Sequence, residues 1–93
     1  MSGSFGPASW DAYARALGVA LQRRRIERGL SQEYVALAAG ITRNHYQQLE
    51  RGWWTPGKPA NPTVKALIEI ALVLEVLPAD LLPPIDGLSL PIR

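Results

Sequence analysis

The sequence predicts an all-α domain of five helices. Three observations predict it: apolar residues recur at three- and four-residue steps in successive segments, a Ser or Thr precedes four of those segments, and a Gly or Pro follows each. The 93 residues suffice for one domain, and 47% hydrophobic against 19% charged residues is a globular balance. With no cysteine and a single histidine, disulfides, thiolate zinc sites and side-chain metal cages are excluded, and nothing suggests a cofactor. No apolar run approaches the roughly 18 residues of a membrane span, and residues 1–7 lack the basic and apolar parts of a signal peptide. We read the chain as cytoplasmic, with no membrane partner.

Residues 1–8, rich in Gly, Ser and Pro, read as a loose tail before a folded domain over residues 9–82. Ser9 is placed to cap a first helix. Its apolar residues Trp10, Tyr13, Leu17, Val19, Ala20, Leu21 and Ile26 fall mostly on one side, and Gly29 suits the left-handed position beyond its end. Ser31 then caps a short helix whose Tyr34, Val35 and Ala38 face inward and which stops at Gly40. Thr42 caps a third helix over residues 43–51, with Tyr46 and Leu49 on its inner face and Gly52 at its end. Two short helices joined through a glycine form a helix-turn-helix at the level of pattern.

Residues 53–62, WWTPGKPANP, carry three prolines and a glycine and read as a compact loop. Thr63 caps a fourth helix. Its residues Val64, Leu67, Ile68, Ile70, Ala71, Leu72, Val73, Leu74 and Val76 are apolar nearly all round, as in a helix that is buried or packed on two sides. Pro78 opens a short fifth helix over residues 78–82, which Pro83 and Pro84 terminate.

Charge is unevenly placed. Residues 1–58 hold eight Arg/Lys against four Asp/Glu, whereas residues 59–93 hold two against four, and Arg23, Arg24, Arg25 and Arg28 cluster. Such asymmetry suits a surface that faces a polyanion. On the third helix Arg43, Asn44, Gln47, Gln48 and Arg51 share a polar face. Arg matches guanine O6 and N7, and Asn or Gln matches adenine N6 and N7, so these side chains suit the reading of base edges in a major groove.

Over residues 17–82 the chain resembles the phage-repressor and Cro-like helix-turn-helix DNA-binding domains, the lambda-repressor-like fold. The resemblance lies in LQRRRIERGLSQEYVALAAGITRNHYQQLERG and NPTVKALIEIALVLEVLPADLL, where RGLSQ, the small Ala36, the turn glycine Gly40 and LERG stand in register. It implies double-stranded DNA as partner. It also implies base-proximal roles for Thr42, Arg43, Asn44 and Gln48, with Gln47 beside them. Gln32 matches a clamp residue; next to Ser31, at a helix start whose N–H groups favour phosphate, it can also brace a base contact. His45 is read as touching phosphate or solvent rather than metal, and Arg51 completes the DNA face. Arg25 and Glu50 correspond to an ion pair that ties the first helix to the third.

Two departures stand out. Between Gly52 and Asn61 the chain has eight residues where the family spends about three, so Trp53 and Trp54 either lock this loop to the domain or pack on the sugar-phosphate backbone, with Lys58 adding charge. Glu75 stands where the family commonly has glycine, which implies an altered turn. Beyond the helices, residues 83–93 form an apolar tail, and over the C-terminal end Leu81, Leu82, Ile85, Leu88, Leu90 and Ile92 exceed what a free end would carry. Some fold back and some supply a dimer contact, setting two third helices about 34 Å apart on a palindromic site. No catalytic constellation and no small-molecule site is evident, so the chain reads as a non-enzymatic transcriptional regulator. The alternative is an interaction module, such as an antitoxin or bridging factor, with secondary DNA binding.

Overall fold

The computed structural model describes residues 9–85. Five helices follow in order: α1 (Trp10–Glu27), α2 (Gln32–Ala39), α3 (Arg43–Arg51), α4 (Val64–Leu74) and α5 (Pro78–Leu81). Between α3 and α4 lies a small antiparallel hairpin of β1 (Trp53–Thr55) and β2 (Lys58–Pro59). The tail over residues 1–8, and Leu88, Leu90 and Ile92, lie outside the described residues.

Four helix starts are fixed by hydroxyls. Ser9, Ser31, Thr42 and Thr63 accept from the N–H groups of Ala12, Tyr34, His45 and Ala66 at 3.0–3.2 Å, each satisfying a donor with no intrahelical partner. Helix ends are equally local. At α1 the N–H of Gly29 (φ 70°) bonds to Ile26 and that of Leu30 to Arg25, the paired closure that a left-handed residue permits. The α4 end closes the same way, although its left-handed residue is Glu75 (φ 60°). The turn keeps its geometry without glycine at a strain of about 1 kcal/mol, and Glu75 is held by an ion pair with Arg28.

The core gathers Leu17, Leu21, Val35, Tyr46, Leu49, Ile70, Leu74 and Leu81 with the small Ala36, Ala39 and Ala71. α1 packs on α3, and α2 on both α3 and α4. The buried line of α1 is Tyr13, Ala14, Leu17, Gly18 and Leu21; Val19 and Ile26, expected on that face, are exposed. α2 likewise buries Val35, Ala36 and Ala39 and leaves Tyr34 and Ala38 outside. In both helices small residues mark the seam, because close backbone approach needs short side chains. α4 is packed on one side only: Val64, Ile68 and Leu72, one turn apart, are exposed, Val64 by 74% and Leu72 by 71%.

The segment expected as a compact loop is the hairpin. Pro56 and Gly57 make its turn, and Gly57 at φ 83° takes the conformation that a type II turn requires of its third residue. After α5 the chain returns to α1, where the Tyr13 hydroxyl donates to the Pro83 carbonyl at 2.9 Å. Leu81 is buried in the core, while Leu82 and Ile85 are exposed.

Candidate nucleic-acid interface

α2 and α3 are joined through Gly40, left-handed at φ 77°, and Ile41, whose N–H returns to Ala36. Tyr46 and Leu49 hold α3 inward against the core, which turns its other side outward. On that side Arg43, Asn44 and Arg51 are exposed, and His45, Gln47 and Gln48 are half-buried. Thr42 and Ser31 are exposed at the two helix starts, each with its hydroxyl engaged as the cap.

Behind this face runs a polar relay. Arg25 grips Glu50 with two nitrogens, Nε to Oε2 at 2.6 Å and Nη2 to Oε1 at 3.1 Å, and its Nη1 donates to the Leu30 carbonyl. The two side chains are only 13% and 5% exposed. Gln32 donates to Glu50 Oε1 at 2.8 Å and accepts from Gln47 Nε2 at 3.3 Å. A carboxylate only accepts, so Gln32 must turn its nitrogen to Glu50 and its oxygen to Gln47. Gln47 therefore gives the relay one amide hydrogen and keeps its carbonyl oxygen out of it. The structure thus places Gln32 behind Gln47 rather than at the open surface.

Burial pushes the Glu50 carboxyl up, but Arg25, the neighbouring Tyr46 hydroxyl and Gln32 together outweigh it and leave the group below its ordinary value of 4.5. The Tyr46 phenol is pushed up, first by burial and then by the neighbouring Glu50 carboxylate. Among the described residues its hydroxyl is the buried side-chain polar atom without a hydrogen-bond partner. An unsatisfied buried hydroxyl costs about 1–3 kcal/mol, so Tyr46→Phe is expected to leave the melting temperature unchanged or raise it. A clear drop in a calorimetric scan would mean that the hydroxyl contributes to the relay.

The far half of α3 is engaged by the hairpin. Gln48 Nε2 donates to the Trp54 carbonyl at 3.3 Å, and Arg51 donates to the Trp53 and Trp54 carbonyls at 3.2 and 3.1 Å. The Arg51 guanidinium lies 4.0 Å over the Trp53 ring, a cation–π contact. The His45 and Trp54 rings meet at 5.5 Å. Sequence reasoning left the two tryptophans with alternative roles and missed their carbonyls. The turn pair Pro56–Gly57 was the available signal, since it marks a reversal that would bring the flanking backbone together. Elsewhere in the basic cluster, Arg24 lies 3.9 Å from Glu27, both exposed. Among the described residues no group of His, Cys, Asp or Glu could hold a metal ion, and no helix is long and apolar enough to cross a membrane.

The pattern of the helix-turn-helix family matches residues 21–81, from the second half of α1 to the end of α5. The chain belongs to the helix-turn-helix family. This helix-turn-helix chain is 36% identical over 72 residues to an uncharacterised HTH-type transcriptional regulator, y4dJ, of Sinorhizobium fredii, covering 77% of this chain and 86% of that one. Its fold is similar to that of the restriction-modification controller protein C.AhdI from Aeromonas hydrophila, with a TM-score of 0.65 and 28% identity over 73% of this chain and 94% of that one. It is similar also to SinR, the Bacillus subtilis master regulator for biofilm formation, in complex with DNA: TM-score 0.60 and 26% identity over 70% of this chain and 95% of that one.

Proposed function

We propose that the chain is a sequence-specific, DNA-binding transcriptional regulator that inserts α3 into the major groove and binds a palindromic operator as a homodimer. The observation that carries this reading is the outward face of α3. There Arg43 and Asn44 stand exposed at the helix start, and Gln47 is oriented from behind by Gln32. Such side chains read base edges when the helix beneath them is rigid, and here it is anchored by Tyr46, Leu49 and the Arg25–Glu50 pair. The SinR structure with DNA and the regulator relatives support the same reading. We assign it no catalysis and no small-molecule effector. Homodimerisation is supported by exposed apolar residues on α4 and beyond it: Val64, Ile68, Leu72, Leu82 and Ile85.

Selection of bound sequences from a random double-stranded pool tests the proposal. An enriched inverted repeat is expected, and its half-site spacing measures the dimer. Arg43→Ala is expected to cost about 1–3 kcal/mol on the selected site and to relax preference at one base pair, with unchanged folding. The same exposed apolar stripe favours a second reading, in which the main partner is another protein. A folded chain that binds all duplexes weakly and equally would decide for that reading.

A further inference from the structure

We infer that the β1–β2 hairpin is a wing that contacts the DNA backbone beside the groove entered by α3, with Lys58 as its phosphate ligand and Gln48 and Arg51 as the residues that hold it in place. The inference rests on the regulator reading above.

The root of the hairpin is fixed by close packing. Gly52, at φ 92°, lies so near α1 that a Cβ there would stand 2.7 Å from the Arg15 Cα, and the Ala60 N–H returns to the Gly52 carbonyl at 2.9 Å. Its body is fixed on α3 by the Gln48 and Arg51 bonds to the Trp53 and Trp54 carbonyls. Trp54 meets His45 and also packs against the core. His45, Gln48 and Arg51 succeed one another every three residues along α3, so the hairpin covers one flank of the helix that carries Arg43 and Asn44. It therefore lies on the DNA side of the domain if α3 does.

Two consequences follow from chemistry. Gln48 and Arg51 donate to backbone carbonyls, so part of their capacity is withdrawn from base edges and base reading concentrates on the first half of α3. Meanwhile Thr55, Pro56, Gly57 and Lys58 are exposed at the tip. The cleft between hairpin and α1 has Arg15 and Lys58 on its walls against the single acid Asp11. Two cations against one carboxylate suit a run of phosphates. Pro56 and Pro59 stiffen the hairpin, so little conformational freedom remains to be lost on binding.

The test measures affinity against salt for the wild type, Lys58→Ala and Lys58→Arg, on a random-sequence duplex and on the duplex recovered by selection. Lys58 is exposed, so equal thermal melts are expected for all three. Removing one phosphate contact makes the slope of log affinity on log salt shallower by about 0.9. That change, the same fold-loss on both duplexes, and recovery in Lys58→Arg are the expected results. A wild-type slope in Lys58→Ala, or a loss confined to the selected duplex, overturns the wing while leaving the regulator reading intact. A wild type that binds neither duplex overturns both.

Discussion

Gly18→Ala is expected to destabilise the domain more than any other single methyl addition to its helices. A Cβ at this position would stand 2.2 Å from the Glu50 carbonyl oxygen and 2.7 Å from the Leu49 oxygen. Those atoms are backbone of α3, so no side chain can swing aside and the two helices must separate. Overpacking a core usually costs about 1–3 kcal/mol, and a clash with fixed backbone belongs at or above the top of that range. Alanine's better helix propensity, worth about 1 kcal/mol over glycine, opposes this and does not offset it. A urea melt measures the loss, and a midpoint equal to wild type would show that α1 does not lie on α3 as described. DNA affinity is expected to fall on all sequences alike, because the base of α3 moves as a unit.

Glu50→Ala is the second large effect. It leaves the Arg25 guanidinium nearly buried without its carboxylate and frees Gln32 from its anchor. Breaking a buried pair costs about 3–5 kcal/mol. The remaining bond from Arg25 to the Leu30 carbonyl moderates this to about 2–4 kcal/mol, or on the order of 10–25 °C in melting temperature for a domain of this size. The same carboxylate makes stability depend on pH. Its pKa is lowered in the folded state from the ordinary 4.5, so the pair's contribution is fully present above that value and is lost as pH falls through the lowered one. Glu50→Gln is expected to flatten this acid limb of the stability curve. Unchanged stability of Glu50→Ala together with altered base preference would contradict a structural role.

What the sequence made legible was set by local rules. Four hydroxyl caps and the glycines at 29, 40 and 52 mark helix limits because their hydrogen bonds span only a few residues. The inward faces were less legible. Ala14, Gly18, Ala36 and Ala39 carry little apolar weight, yet they line the seams, while the larger Val19, Ile26 and Tyr34 drew the periodicity toward solvent. Gly18 itself had no signal, since its role exists only where two helices cross. The polar face of α3 was readable as residue types at helical spacing. The division of that face was not: which amides bond to Gln32 and which to the hairpin depends on contacts between segments brought together by folding.

The bond from the Tyr13 hydroxyl to the Pro83 carbonyl brings the two ends of the described domain within one tyrosine's reach. Ends that lie together can be joined by a short connector with little loop-closure entropy. The exposed Pro56–Gly57 turn then offers a place to open the chain anew. A circular permutant cut there would keep all five helices and their order around the core, and would carry its new termini at the tip of the hairpin.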